Sequence, residues 1–197
     1  VTLDVFRETD GQRFHASAGD LTQTKPYFGM GTTYLYVMAI LMQLVDEGKR
    51  ALDTPFVAYI TCAKWAKELH VKDGVDYTNE ITIRHLMRHE TGLSNSRFIS
   101  ENFKYLDPSM MDGKDDKFTF EDLIARTRSY GAKYAPGQGP RAVFSDAHFH
   151  ILGKVIEDIE QKTLAEVVQA RIARPLGLHA TYVYCDPSDR QPRALQS

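Results

Sequence analysis

The sequence predicts an α+β domain in which helices pack against an antiparallel sheet. Three observations support this fold class: a pair of strands opens the chain, a nearly all-apolar stretch follows, and several capped helices come after it. With 43% hydrophobic and 25% charged residues, the 197-residue chain has the composition of an ordinary globular domain. We therefore treat residues 1–197 as a single domain, incomplete at its sheet, with a helical portion over about 32–178.

The strands are predicted from alternating side chains. Val1–Arg7 and Arg13–Ala18 show period-2 alternation, and the pair Asp10–Gly11 between them suits a type I′ hairpin turn. A candidate last strand covers Thr181–Tyr184. The sheet would thus contain the N-terminal hairpin and at most one further strand.

The helices are predicted from apolar periodicity and from their caps. Thr32–Val45 is apolar at nearly every position, which predicts a helix buried on nearly every side. Thr82 and Thr119 have the spacing of N-caps with a hydrophobic staple, and Thr163 opens a capping box. His148–Glu160 carries apolar residues along one helical stripe.

Composition also excludes some functions. The chain has 24 basic and 26 acidic residues without a basic block, so no nucleic-acid partner is expected. Its longest apolar run, Tyr34–Met42, is shorter than the roughly 18 residues of a membrane span, and no signal-peptide pattern begins at Val1. Cys62 and Cys185 could pair or both be free. Ser94–Lys117 has the composition of a long surface loop.

Four segments, in order along the chain, carry a family resemblance. They are FGMGTTY at Phe28–Tyr34 running into LVDEGKRALD at Leu44–Asp53, ITIRHLMRHETGL at Ile81–Leu93, YAPG at Tyr134–Gly137 with FSD at Phe144–Asp146, and RPLGL at Arg174–Leu178. Together they resemble the serine β-lactamase, penicillin-binding-protein and family VIII esterase group. The resemblance covers about 1–184, and it implies a β-lactamase/transpeptidase-like fold.

The resemblance implies where the group's reactive residues would stand. A Ser at the start of the buried helix attacks a carbonyl, and a Lys one turn later helps to take its proton. Aligned without gaps backwards from Leu44, the Ser position holds Gly31 and the Lys position holds Tyr34. At the second motif, Phe144 replaces a Tyr and Asp146 replaces an Asn. The group's third, KTG-like motif has no counterpart in these 197 residues.

Each replacement removes a chemical capability. Gly31 has no side chain to acylate, and the phenol at Tyr34, with an ordinary pKa of about 10, is a poor base at neutral pH. Phe144 carries no proton, and Asp146 only accepts where an amide also donates. These positions predict a non-catalytic domain, without cofactor or metal, that binds a small molecule, a peptide or a protein through the cleft inherited from the family. The alternative is a hydrolase of the β-lactamase, esterase or D-Ala-D-Ala peptidase type that works through Tyr34 and Asp146.

Several hydroxyls near these positions are candidate displaced nucleophiles. Thr32, Thr33 and Ser145 adjoin the replaced residues, but a shift of one residue turns a helical side chain by about 100°. We expect capping and turn roles for them instead. Ser94 and Ser96 are expected to be polar residues of the loop.

The histidines and one cysteine have simpler interpretations than chemistry. His85 and His89 have a metal-ligand spacing, but the resembled segment has histidines at both places and they are structural there. His148 and His150 are expected at the surface. Cys62 is expected to pack in the core.

A hairpin alone buries little surface and leaves an open edge. We therefore expect either that the chain is a fragment of a longer protein, or that a second chain or swapped copy supplies the rest of the sheet. The family resemblance suggests a periplasmic or secreted location, which the sequence itself leaves open.

Overall fold

A computed structural model describes residues 2–18, 30–95, 119–140 and 142–183. The chain divides into two compact units, residues 1–33 together with 184–197, and residues 34–183. In the first unit the described part consists of a β-hairpin and the turn that leads into the first helix. The second unit contains the helices and the hydrophobic core.

The hairpin forms where it was predicted, with shifted ends. Strands β1 (Thr2–Arg7) and β2 (Gln12–Ser17) pair antiparallel, and Val5 lies opposite Phe14. Because side chains alternate across a strand, this register places apolar residues of both strands on one face. That face is exposed in the described structure.

The turn of this hairpin differs from the prediction. A type I′ turn needs positive φ at both central residues, but only Gly11 (φ 68°) of the Asp10–Gly11 pair has it. The loop has four residues, and the Gly11 amide donates to the Arg7 carbonyl at 3.0 Å. The Asp10 carboxylate accepts from the Gln12 amide at 3.1 Å and pairs with Arg7, so side-chain bonds favour the longer loop.

A second, two-residue hairpin turn occurs where none was predicted. Strands β3 (Val71–Lys72) and β4 (Val75–Asp76) are joined by Asp73–Gly74, with φ values of 51° and 80°. Both central residues are thus in the left-handed region, as a type I′ turn requires. Strands of two residues are too short to show alternation, so the sequence did not reveal them.

Five α-helices are described: α1 (Thr33–Asp46), α2 (Ile83–Met87), α3 (Phe120–Ser129), α4 (Asp146–Glu160) and α5 (Leu164–Val168), the last continued by a π-helical turn at Gln169–Ala173. The predicted caps are confirmed. The hydroxyl oxygens of Thr82, Thr119 and Thr163 accept the backbone amides three residues later, at 3.1, 3.1 and 3.2 Å. Each cap satisfies a helix N-terminal amide that has no partner within the helix.

The core lies in the second unit, with α4 at its centre. Helix α4 contacts α2, α3, α5 and the 3₁₀ turn at Phe56–Tyr59. These elements and α1 supply many of the fully buried side chains of the cluster, among them Phe56, Ile40, Leu44, Leu86, Leu152 and Ile156. This packing positions the start of α4, which bears the candidate site.

Helix α1 is not buried on nearly every side, and that prediction was wrong. It buries Val37, Ile40 and Leu44, but Leu35 is 65% exposed and Met42 is 40% exposed. Apolar composition favours burial without providing a neighbour to pack against. Along this second face, the part of the chain that the structure describes provides too few contacts to cover these side chains.

The candidate last strand is also corrected. Residues 181–183 form no strand, and Tyr184 lies outside the described residues. The Gln169 side-chain amide donates to the Thr181 carbonyl, so a side chain takes the place of a neighbouring strand as hydrogen-bond partner there. Most of Ser94–Lys117, with Ser96, lies outside the description too.

Cys62 is exposed, although it was predicted in the core. The nearby Trp65 packs inward instead, with its ring 5.8 Å from Phe56 and 4.9 Å from Phe120. Trp65 is partly buried against the core, and its large aromatic ring contributes the packing in this stretch. The other cysteine, Cys185, lies outside the described residues. None of the described helices is long and apolar enough to cross a membrane.

Candidate active site

Tyr34, Phe144, Phe149 and Asp146 come together at the start of α4 and are called here the aromatic cluster. The Tyr34 ring stacks on the Phe149 ring, with centroids 4.1 Å apart and planes 11° from parallel. Phe144 lies tilted beside Tyr34 at 6.0 Å. The Tyr34 hydroxyl donates a hydrogen bond to the Asp146 carboxylate.

The sequence of α4 accounts for this arrangement. Asp146 and Phe149 are three residues apart and therefore lie on one side of the helix, where both reach Tyr34. Asp146 is only 4% exposed, and a carboxylate buried to that degree needs hydrogen-bond donors. The Tyr34 hydroxyl is one such donor. Two of the four predicted site positions, Tyr34 and Asp146, are therefore in direct contact, and Phe144 adjoins them.

The remaining predicted position, Gly31, lies in the 3₁₀ turn Met30–Thr32 that immediately precedes α1. Gly31 and Thr32 are exposed, and Thr33 is the first residue of the helix. Ser145 is buried, and its hydroxyl donates to the Ser94 carbonyl at 3.1 Å. Ser94 is buried as well, so it supports the site rather than filling a surface loop.

A chain of hydrogen bonds through two histidines lies next to the aromatic cluster. Nδ1 of His89 is 2.6 Å from Nδ1 of His148, and Nε2 of His148 is 2.7 Å from Oγ1 of Thr91. The prediction that His148 lies at the surface was therefore wrong, since it is fully buried with partners at both ring nitrogens. His150, two residues further, is exposed as predicted.

Burial sets the charge of both rings. It lowers the pKa of His89, although the charge of Asp146 acts in the opposite direction. Burial lowers the pKa of His148 well below its ordinary value, and the proximity of His89 lowers it further. Both imidazoles are therefore neutral at physiological pH, in which state each ring has one donor and one acceptor nitrogen.

The turn after α2 is held in an unusual backbone conformation. His89 has φ 58° and Gly92 has φ 82°, both in the left-handed region. A Cβ on Gly92 would lie 2.1 Å from the Tyr134 carbonyl oxygen, so only glycine fits there. Nε2 of His70 lies 2.8 Å from the Thr91 carbonyl and 3.0 Å from the Tyr134 carbonyl. The His70 ring thereby connects this turn to the segment around Tyr134.

A cavity of about 200 Å³ opens beside this turn. Its lining residues are Glu90, Tyr134, Gly137, Gly139, Pro140 and Ala142. It is smaller than the roughly 300 Å³ at which pockets for drug-sized ligands begin. A ligand group of a few non-hydrogen atoms would fit.

His85 serves the cap of α2, because its Nδ1 accepts the Thr82 amide at 3.3 Å. Among the residues that the structure describes, no group of three or more His, Cys, Asp or Glu side chains could hold a metal ion. Sequence reasoning missed the roles of His70, Thr91 and His148. One signal for His148 was available, since it shares a helical face with Leu152 and Val155 at spacings of four and seven residues.

Comparison with known proteins agrees with the fold. The Beta-lactamase family profile matches residues 28–196. Esterase EstB of Burkholderia gladioli is 28% identical over 143 residues, which cover 72% of this chain and 34% of the esterase. A D-stereospecific amidohydrolase from Streptomyces sp. is 26% identical and superposes with a TM-score of 0.67, over 85% of this chain and 47% of that one.

A penicillin-binding protein from Bacillus halodurans has the same TM-score of 0.67 at 22% identity, over 93% of this chain and 53% of its own, and shows the shared fold alone. The chain thus spans about a third of the length of the esterase and about half of the two solved structures. The fold is of the β-lactamase/transpeptidase type, with helices and small antiparallel sheets. The family profile covers far more than half of the sequence, and the chain belongs to the β-lactamase family.

Proposed function

We propose that this chain is a non-catalytic member of the hydrolase family to which it belongs, and that it binds a small molecule, peptide or protein through the inherited cleft. The proposal rests on the two contacts that the Tyr34 side chain makes. Its ring is stacked on Phe149 and its hydroxyl is bonded to Asp146. The position matched to the family lysine thus belongs to a packed aromatic cluster and provides no amine to take a proton.

The position matched to the nucleophile supports the same proposal. Gly31 has no atom that can form an acyl-enzyme. The buried Ser145 hydroxyl is engaged as a donor to the Ser94 carbonyl, which opposes its use as a substitute nucleophile. Thr32 is exposed in the turn and is the displaced nucleophile to test directly.

Three substrates test the loss of acyl transfer: a fluorescent penicillin, a chromogenic cephalosporin and a short-chain ester. We expect no covalent adduct by mass spectrometry and no turnover above buffer. An adduct or turnover would overturn the proposal, and loss of that adduct in Thr32→Ala would identify Thr32 as its site. The double variant Gly31→Ser/Tyr34→Lys restores the residue types of the family at both matched positions. Covalent labelling of this variant by the fluorescent penicillin would support the alignment of these two positions.

Ligand binding is tested separately by thermal stability. A ligand present at about one hundred times its Kd stabilises a folded protein by about 2.7 kcal/mol. Fragments small enough for the cavity beside Glu90, together with D-Ala-D-Ala peptides, form a suitable first set. A cavity-directed ligand should lose its effect in Ala142→Leu, which adds bulk to a lining side chain, whereas a surface change such as Tyr130→Phe should not matter.

A hydrolase that works through non-standard groups is the second candidate. The hydrogen bond between Tyr34 and Asp146 favours this candidate, because a neighbouring carboxylate would hold the tyrosine in place as a general base. Tyr34→Phe keeps the stacking on Phe149 and removes the hydroxyl, so it should abolish any turnover that depends on this pair. Unchanged turnover in that variant rejects this candidate.

We further propose that a partner chain covers the exposed apolar surfaces. In the hairpin, Leu3, Val5 and Phe14 are about half exposed, and Leu35 and Met42 form an exposed stripe on α1. Exposed apolar patches of this kind mark interaction surfaces. A second copy of the chain is the first partner to test, by light scattering coupled to size exclusion. A stable monomer at high concentration would contradict a partnership between copies.

A further inference from the structure

Two histidine rings meet nitrogen to nitrogen beside the aromatic cluster. Nδ1 of His89 lies 2.6 Å from Nδ1 of His148, within hydrogen-bonding distance. Such a bond needs a proton on one nitrogen and a lone pair on the other. The contact therefore holds with one proton between the rings, and protons on both facing nitrogens would force them apart.

The neighbouring groups decide which ring donates. The Leu93 amide can only donate, and it does so to Oγ1 of Thr91 at 2.9 Å. That oxygen keeps a second lone pair as well as its proton, so the contact between Oγ1 of Thr91 and Nε2 of His148 at 2.7 Å fits either direction. The Ser145 amide can only donate, and it points at Nδ1 of His89 at 3.4 Å, so the lone pair of the contact is on His89. We therefore assign the proton of His148 to Nδ1, from which it donates to His89, and this leaves Nε2 of His148 to accept from the Thr91 hydroxyl.

The pair joins two segments of the chain. His89 lies in the turn after α2, and His148 lies in the first turn of α4, which directly follows the segment 142–145. The Val143 amide donates to the His89 carbonyl at 2.9 Å. The Phe144 ring lies 4.8 Å from the His89 ring and 6.0 Å from that of Tyr34, so the segment carries Phe144 against the aromatic cluster.

The charges around His89 come from three places. Asp146 on α4 acts on the ring through space and favours its protonated form. Tyr34 from α1 donates to that carboxylate. Arg88 and Glu90, which flank His89 in the chain, pair with each other at 3.0 Å. Burial opposes protonation of both rings, so the pair stays intact near neutral pH.

We propose that the His89–His148 pair is an acid-released latch that holds the segment 142–145, and with it Phe144, against Tyr34. When both facing nitrogens carry protons, the contact breaks, the segment separates from the turn, and the Tyr34 side of the cluster is uncovered. As a regulator of the site, the latch rests on the function proposed above. Its opening is measured without any ligand or substrate, so the two proposals fail independently.

Backbone amide exchange measured by NMR tests the latch. The amides of Val143 and Ser145 report on it, and the Leu152 amide within α4 serves as reference. Between pH 7 and pH 5, we expect their protection to fall relative to Leu152, by up to about ten-fold per pH unit for each proton taken up on opening. A ratio that does not change with pH would overturn the proposal.

Two variants sharpen the result. His89→Asn places an amide oxygen near the position of Nδ1, so it can accept from His148 but does not titrate, and protection should persist to lower pH. His150→Asn changes an exposed histidine of the same helix and should leave the profile unaltered. Equal acid sensitivity in His89→Asn and the parent protein would refute the latch.

Should His89→Asn not fold, the parent protein still decides the matter. Long-range ¹⁵N spectra of its imidazoles at pH 7 should show His148 protonated on Nδ1 and His89 protonated on Nε2. Protons on both facing Nδ1 atoms, or on neither, would overturn the latch, because no single proton would then join the two rings.

Discussion

Replacing Tyr34 with Phe isolates the hydrogen bond that defines the candidate site. The phenylalanine keeps the stacked ring on Phe149 and removes only the hydroxyl that donates to Asp146. Because Asp146 is 4% exposed, water cannot fully replace that donor. A hydrogen bond to a charged group contributes about 1.5–3 kcal/mol, so we expect a loss of that size in the free energy of unfolding. For a chain of this length, the loss corresponds to about 3–12 °C in Tm.

Urea unfolding followed by fluorescence of Trp65 measures this loss, because the ring is packed against Phe120 and will be released on unfolding. Tyr130→Phe, at a position 43% exposed, is the matched control and should change stability by no more than about 0.5 kcal/mol. A double-mutant cycle with Asp146→Asn separates the pair energy from other effects. If Tyr34→Phe is as stable as the parent protein, the hydrogen bond does not stabilise the site and the reasoning fails.

Two further predictions concern pH and the turn after α2. Since the folded-state pKa values of His89 and His148 lie below the unfolded value of about 6.5, the unfolded chain binds more protons, and stability should fall as pH drops below about 6.5. Urea midpoints measured between pH 7.5 and pH 5, above the range where most carboxylates titrate, check this, and a flat profile would contradict it. Gly92→Ala should destabilise by about 2 kcal/mol or more, because its Cβ meets the Tyr134 carbonyl, whereas Gly131→Ala, with a similar φ of 69° and open space, should cost only about 1 kcal/mol. Equal losses of unfolding free energy in the two variants would show that the close approach of Gly92 to the Tyr134 carbonyl does not affect stability.

The sequence predicted those features that depend on neighbours along the chain. The caps at Thr82, Thr119 and Thr163 bond to amides three residues away, and the structure confirms all three. The α+β class and the family resemblance were also accessible, because ordered motifs and apolar periodicity are written in the chain itself. The two-residue turn at Asp73–Gly74 was missed, since strands of two residues leave no pattern.

Burial was less accessible, because it depends on what packs against a residue. His148 was expected at the surface and is fully buried, because Thr91 and His89 provide partners for both of its ring nitrogens. Cys62 was expected inside and is exposed, whereas the nearby Trp65 is the side chain that packs against the core. In both cases side-chain type alone indicated the wrong environment.

By itself, the sequence determined the family, the fold class and the three threonine-capped helix starts, all of which follow from local pattern or residue identity. Only the tertiary structure decided which of the candidate site residues meet. Tyr34 bonds to Asp146 across 112 positions of sequence, and His89 meets His148 across 59. Contacts at such separations depend on how α1, α2 and α4 pack around their common core, and no local pattern in the chain encodes that packing.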